Sequence, residues 1–593
     1  MGSRSSLVID GVSYLVHPQS LLQIAEPSGL EPIPVVLLPI GDSVSPGSSQ
    51  GYLPPGPYFL CHDGIHQAYR LYEDTLDSFI FGVIQDDVLN PKRVSVPSRL
   101  YAIPTSETPL AGARMGIKDI FRLEGIQTTM MSRPWIELYG PDEQSADYTK
   151  KLIKLGAVIV GKTKITAFAS PEEPTDQWVV FHCPVNPRGD GYQSPPSSST
   201  GAATSLAGYE WLDFSIAGDS AGSFRAPAPC NGLFSLRPSF GSTSMNGIPV
   251  NSLAFDTVGQ FGRSLDDLHF IVSHIFENIH QGFSEFPTKI LYPKEFYPLA
   301  NVEQQALTDE FVKILEDFLG VKKTPFSFVE EWENNPPHGA GSLPLLEYTE
   351  KSDFWSLCYD HYHGFDNFRD EYSAKFGKRP FVRSVVRFRW SVCSQSFRII
   401  SEKQDKDVGK DVTSQKYEEY MKQLELFRNW FTENIMGSDS KTLSDAILIM
   451  PYGEPRPEYR DEANQPAGTF PTIAEKFISP ILHAPQLVLP FAQMPYLSKV
   501  SGRPEMRPIA STMIGAKGSD LMLIKLATEA FKKAGWPTSI QTGRYMYPVA
   551  DNARNVGSES GESLAAYETR QRAVQELQSE FGNKSGDFVC NAM

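Results

Sequence analysis

The sequence predicts an α/β fold: a large, mixed, mostly parallel twisted sheet flanked by helices, preceded by a small N-terminal α+β module. Three observations carry that prediction. From about residue 108 onward, short apolar runs alternate with amphipathic ones, as when strands and helices take turns. The chain has 593 residues, too many for one ordinary core but enough for a large domain with additions. Its 41% hydrophobic and 21% charged residues are the balance of a globular protein, which argues against a fibrous or disordered chain.

Residues 1–95 read as the separate module. SLVIDGVSYLV, PIPVVLLPI and YFLC read as strands, broken by the loop GDSVSPGSSQGYLPPGP. GIHQAYRLYEDTLDSFIFGVI is expected to begin helical and end extended. The main domain spans 96–545. In it ARMGIKDIF is a strand running into a charged loop. SADYTKKLIKLG is a helix with Ser145 as its N-cap and Gly156 as its stop, and AVIVGKT is a buried strand. LDDLHFIVSHIFENIH is an amphipathic helix. Residues 300–440 form a charged, aromatic, helical region, with long periodic runs in EQQALTDEFVKILEDFLG and SQKYEEYMKQLELFRNWFTENIM. DAILIMPYG and QLVLPF return to strands, and GSDLMLIKLATEAFKKAG closes the domain as a helix. The polar stretch 546–593 reads as a mobile tail.

Charge and cysteine usage narrow the function. A net charge of −16 is the wrong sign for a nucleic-acid surface, so no nucleic-acid partner is expected. Cys61, Cys183, Cys230, Cys358, Cys393 and Cys590 are scattered, without a CxxC pair, which points to a reduced, cytoplasmic setting. No apolar run is long enough to cross a bilayer, and the N-terminus lacks a signal-peptide core. MGSRSS and the final CNAM fit lipidation patterns loosely. Asn591 is a poor aliphatic and no basic run precedes Cys590, so free termini are the simpler reading. No metal or other cofactor is expected: Cys358, Asp360, His361 and His363 fall in CYDHYHGF, where the flanks look helical and alternate residues would not share a face. Trp355, Tyr359 and Tyr362 recur at helical spacing. Helix packing explains them; an aromatic wall for an apolar substrate group is the functional alternative.

Two loops carry the chemistry. QSPPSSSTGAATSLAG (193–208) and IAGDSAGSFRAPA (216–228) are rich in serine and small residues. Small side chains leave backbone N–H groups unobstructed, and several such groups converging on one point stabilise an oxyanion. A serine there could serve as nucleophile but needs a base. Lys118, at the end of an apolar strand, would lose its charge if desolvated and so supply a lone pair.

These segments resemble the amidase signature family. Its Lys-Asp after a strand, its GGSSGG loop and its GTDxGGSIRxPA loop read here as GIKD, SSSTGA and AGDSAGSFRAPA. GAVIVGKTKITAFA, FDTVGQFGRSLDD and RPIASTMIGAKGSD resemble its supporting segments. The resemblance covers about 105–280 and 440–540. It implies a Ser-cisSer-Lys triad with Ser223 as nucleophile, Ser199 as bridging serine and Lys118 as base. Ser198 and Thr200 are the choices after a one-residue slip. It implies an oxyanion hole of backbone N–H groups from Ser220, Ala221, Gly222 and Ser223, with Asp219 and Arg225 as scaffold. The implied reaction is hydrolysis of a small-molecule amide or ester through an acyl-serine, by a chain that could form a homodimer; the extra N-terminal module and the unassigned 300–440 region suggest a role in specialised metabolism. Acyl transfer to an amine is the rival within that chemistry, and a glutaminase component for tRNA transamidation is a further family role. An inactive binding or scaffold protein is the rival from another class. It is motivated by two departures: SSSTGA in place of GGSSGG, and Ala221 in place of a glycine whose φ, if positive, an alanine would strain.

Overall fold

A computed structural model describes residues 4–9, 12–16, 36–38 and 56–548, apart from 62–63, 84–92, 173–177, 179–180, 277–278, 280–281, 394–411, 454–456, 463–468, 470 and 472. The organising feature is an eleven-stranded sheet. Across it run Lys323–Phe326, Lys289–Pro293, Ala446–Pro451, Pro504–Ile514, Gln486–Leu497, Phe234–Arg237, Thr257–Gly262, Phe214–Asp219, Arg114–Lys118, Val158–Thr163 and Phe79–Gly82. The expected α/β layering is present.

The sheet is mixed, but not mostly parallel. Four pairings are parallel and six antiparallel. The physical reason shows in its longest pair. Gln486–Leu497 and Pro504–Ile514 are joined by only a short turn, which can connect only antiparallel neighbours. The parallel pairings that matter for chemistry flank Arg114–Lys118, where Ile117 faces Lys162 on one side and Ile216 on the other.

The front of the chain differs from expectation in one respect. GIHQAYRLYE forms strands Gly64–Gln67 and Tyr69–Glu73, not a helix. Tyr69–Glu73 pairs antiparallel with Arg93–Pro97, and its tyrosines and leucine suit a ladder as well as a helix. Phe79–Gly82 then joins the main sheet as its edge, beside Val158–Thr163. Ser145 does not cap Asp147–Lys154. Ala146 holds the N-cap position, and Ser145 Oγ accepts from the Glu124 N–H at 2.9 Å. The tail beyond 548 lies outside the described residues.

Two cores hold the layers. One packs helices Thr200–Gly208, Leu265–Ile275, Val302–Leu319 and Asp520–Lys533 against the sheet. In Leu265–Ile275, Leu265, Leu268, Ile271, Val272 and Ile275 are buried at helical spacing, and Ser264 Oγ caps the first turn through the Asp267 N–H. Each such side chain contributes about 1.5–3 kcal/mol of burial. The second core gathers aromatic residues of the 300–440 region, including Trp332, Phe354, Phe427 and Trp430, against Leu448 and Met450 of the sheet.

Candidate active site

The sheet places Lys118 and Asp219 at the ends of neighbouring parallel strands. Lys118 is completely enclosed. Its Nζ lies 2.8 Å from Ser198 Oγ, 2.9 Å from Ser199 Oγ and 3.2 Å from the Gly218 carbonyl. No carboxylate is within ion-pair distance of it among the described residues. Burial pulls the ammonium down to about 7, against the more distant pull of Asp219 and Asp256. A neutral amine has two N–H donors and one lone pair. The three neighbours match that valence: the carbonyl can only accept, and each hydroxyl can do either.

The serine loop runs directly into helix Thr200–Gly208, with Ser199 at the N-cap position. The cis peptide bond lies between Ser197 and Ser198, one residue before the position implied for Ser199. Both Ser198 and Ser199 present hydroxyls to Lys118. Thr200 does not; its hydroxyl donates to the Pro196 carbonyl at 3.1 Å. The small residues here serve close packing. A Cβ on Gly201 would sit 2.2 Å from the Ser78 carbonyl oxygen, and the Gly201 N–H donates to the Lys164 carbonyl.

Ser223 lies in the turn between strand Phe214–Asp219 and the short helix Pro227–Asn231. It is half-buried, and its carbonyl accepts from the Ser199 N–H at 2.9 Å, which ties the two loops together. Its hydroxyl makes no hydrogen bond among the described residues. The turn is shaped by Gly222, at φ 98°, where a Cβ would stand 2.6 Å from Tyr452 Oη. Ala221 is not at positive φ, so the alanine that replaces a family glycine carries no such strain. Of the four N–H groups implied for an oxyanion hole, that of Gly222 is already engaged by Asp219 Oδ1 at 3.2 Å. Those of Ser220, Ala221 and Ser223 have no backbone acceptor among the described residues.

Asp219 and Arg225 form the scaffold beneath this turn. Arg225 grips Asp219 with two nitrogens, Nη2 at 2.9 Å and Nε at 3.2 Å, and Asp219 Oδ2 also accepts from the Phe224 and Arg225 N–H groups. Arg237, which the sequence did not flag, adds a contact at 2.6 Å to Oδ1. Burial alone would raise the Asp219 carboxyl. The two guanidiniums reverse that and hold it well below the usual carboxylate range. Asp256 is a second residue that the sequence did not single out. It accepts from Ser220 Oγ and from the Asn251 and Ser252 N–H groups, while burial raises its carboxyl to about 6. Arg237 ends an apolar strand and Asp256 immediately precedes the strand Thr257–Gly262, so each reads in sequence as an ordinary strand-end charge.

The other candidates are spent on structure. His361 is enclosed, hydrogen-bonds the Phe168 carbonyl through Nε2 and accepts from Trp390 Nε1, so burial keeps it neutral. His363 faces outward to Asp366. Among the described residues there is no cluster of three metal-ligating side chains. Trp355 belongs to the second core, Tyr359 stacks on Tyr417, and Tyr362 lies under the Arg369 guanidinium.

Residues 97–305 match the family model described as Amidase. Over 218 residues the chain is 30% identical to Amidase 1 of Arabidopsis thaliana, covering 36% of this chain and 50% of that protein. Over 205 residues it is 33% identical to a glutamyl-tRNA(Gln) amidotransferase component from Saccharolobus solfataricus, covering 34% and 40% respectively. It thus spans half or less of the length of these curated relatives. The fold is similar to that of 6-aminohexanoate cyclic dimer hydrolase, with a TM-score of 0.53, 17% identity and coverage of 72% of this chain and 86% of that one. It is also similar to a glutamyl-tRNA(Gln) amidotransferase component from Thermotoga maritima, with a TM-score of 0.52, 18% identity and coverage of 77% and 87%. No helix among the described residues is long and apolar enough to cross a membrane.

Proposed function

We propose that this chain, whose residues 97–305 match the Amidase family model, is an amidase that hydrolyses a carboxamide, or an ester, of a small molecule through an acyl-Ser223 intermediate. The observation that carries this reading is Lys118: a buried amine near neutrality, with no carboxylate in contact, touching two serine hydroxyls beside the nucleophile turn. A buried lysine kept only for structure would be expected to face a carboxylate.

The reaction follows from those atoms. Neutral Lys118 takes the proton of Ser199 as Ser199 takes that of Ser223, and Ser223 Oγ attacks the carbonyl carbon. The oxyanion is met by the N–H groups of Ser220, Ala221 and Ser223, since that of Gly222 is engaged by Asp219. Returning the proton to the leaving amine breaks the C–N bond, and water activated by the same relay releases the acid. Ser198 competes with Ser199 for the relay, being equally near Lys118. If an amine replaces water, the same site becomes an acyltransferase. The substrate role of residues 300–440, a cytoplasmic setting and a homodimer belong to this reading as well.

The test is the intact mass of the protein after exposure to a fluorophosphonate. One adduct is expected on the wild type and none on Ser223→Ala. A folded wild type that gains no adduct from probes of several sizes, and cleaves no amide or ester in a broad panel, would favour an inactive binding protein. The engaged Gly222 N–H and the unbonded Ser223 hydroxyl are the observations on that side.

A further inference from the structure

The turn that carries Ser220 to Ser223 is held at two places. Arg225 and Arg237 grip Asp219, and the loop 251–256 grips Ser220. That loop is tied upon itself. Asp256 Oδ2 accepts the N–H groups of Asn251 at 2.8 Å and Ser252 at 3.0 Å, and the Asp256 N–H donates to the Ser252 carbonyl at 3.1 Å. The other carboxylate oxygen, Oδ1, accepts from the Ser220 hydroxyl. Whatever shifts residues 251–252 therefore shifts the acceptor that orients Ser220.

Asp360 has hold of that place. It is 4% exposed and lies in helix Ser352–His363, within the 300–440 region. Its Oδ2 accepts from the Leu253 N–H at 2.8 Å and the Ser252 hydroxyl at 3.1 Å. Ser252, wholly buried, thus spans two carboxylates: its main chain donates to Asp256 and its side chain to Asp360. Just past the helix, a Cβ on Gly364 would stand 2.7 Å from the Val250 carbonyl oxygen, so helix end and loop are in close contact. The Tyr417 hydroxyl, from helix Ser414–Asn434, faces the same carboxylate, and two helices of the region meet there. No lysine or arginine lies within ion-pair distance of Asp360 among the described residues. A buried carboxylate without a cation is a costly way to pin a loop that an uncharged acceptor could also pin. What the charge adds is strength in the bonds it accepts, and hence rigidity. Rigidity serves an oxyanion hole, whose donors must be in place before charge develops on the substrate.

We propose that Asp360 is a positioning residue for the oxyanion turn: through Ser252 and Asp256 it fixes Ser220, so a helix of the 300–440 region sets the rate of acyl transfer from a carboxylate that does not touch the reacting atoms. The proposal rests on the amidase reading above, and the experiment separates the two.

The test is a double-mutant cycle on turnover of a reporter ester, with the rate of fluorophosphonate labelling at Ser223 alongside. Asp360→Ala removes the acceptor altogether and is expected to lower kcat and the labelling rate about five- to ten-fold, with KM within about two-fold of wild type. Asp360→Asn keeps one acceptor oxygen and should recover most of that loss. In a Ser220→Ala background the link is already cut, so Asp360→Ala should cost less than about two-fold more. A folded Asp360→Ala with unchanged kcat, a change in KM alone, or a loss that multiplies in full with that of Ser220→Ala would each overturn the proposal. If Asp360→Ala does not fold, Ser252→Ala breaks the same link at its hydroxyl and is held to the same cycle. A wild type that neither takes the probe nor cleaves the ester defeats the amidase reading instead. Amide hydrogen exchange over residues 220–223 then reads the link without turnover: it should be faster in the variant than in wild type, and equal exchange would overturn the link.

Discussion

Lys118 and Lys162 sit on adjacent parallel strands, one residue out of step, and both are wholly buried. Their surroundings differ in what can be exchanged. Lys162 faces the Asp119 carboxylate at 3.4 Å, with the Phe121 carbonyl and the Thr128 hydroxyl completing its shell. Asp119 is held in turn by Thr129. That lysine is a closed ionic knot. Lys118 meets two hydroxyls and one carbonyl, with no carboxylate in contact and only the more distant pull of Asp219 and Asp256 to keep its proton in place. Burial lowers both ammonium groups, but only at Lys118 is the result a group free to titrate against its neighbours. Burial therefore does not by itself distinguish a structural lysine from a reactive one; the partners do.

The comparison can be broken most severely at the chemistry. Lys118→Met and Ser223→Ala are each expected to lower kcat by about 10³-fold or more with the fold kept, since a relay fails when any member is lost. Circular dichroism alongside turnover of a reporter ester checks this. Lys162→Met should act through stability, removing about 3–5 kcal/mol in urea unfolding because it strands Asp119 uncompensated in the interior. Adding Asp119→Leu should recover much of that loss. If Lys162→Met leaves stability unchanged, the two lysines do not differ as described.

A smaller effect separates the two hydroxyls on Lys118. Ser199→Ala is expected to cost about 10²-fold or more in kcat, and Ser198→Ala about ten-fold or less, because the Ser199 backbone is the one bonded to Ser223. The reverse ranking would move the relay to Ser198. A pH profile sharpens the picture further. Activity should rise with pH through an acid limb near 7, where Lys118 loses its proton. For the same reason, between about 7 and the ordinary lysine value of 10.5 the unfolded chain holds a proton that the folded chain has released. Stability from this group therefore rises with pH across that window, and Lys118→Met should remove that part of the slope. The smallest effect is expected at Asp256→Asn, a few-fold in kcat, since it acts at one remove, by orienting Ser220 and the 251–252 backbone and by a distant pull on Lys118.

What the sequence disclosed follows the same physical line. Ser199, Ser223, Asp219 and Arg225 were legible because each lies in a short, unusual run of small residues, and Lys118, itself a strand-end charge, only through the resemblance of GIKD; the structure links Lys118 to Ser199, Ser199 to Ser223 through the backbone, and Asp219 to Arg225. Arg237 and Asp256 were not, because one charge at the end of an apolar strand looks alike whether it faces water or another strand's carboxylate. Strand direction was legible around Lys118, where helices separate the strands, and illegible at 486–514, where a tight turn reverses the chain. Tyr69–Glu73 shows the limit of periodicity: five residues satisfy either pattern until a partner strand is known.

Arg225 also makes the site a product of the whole chain. Its remaining donors reach the carbonyls of Glu475 and Lys476 and the side chain of Gln486, the last 261 residues downstream. Strand Phe234–Arg237, which carries the other guanidinium, is likewise paired on one side by Gln486–Leu497. During synthesis the nucleophile turn emerges long before these supports exist. A chain made only as far as this turn therefore carries its serine without the clamp beneath it, and the clamp closes only once residues 475–486 have been made.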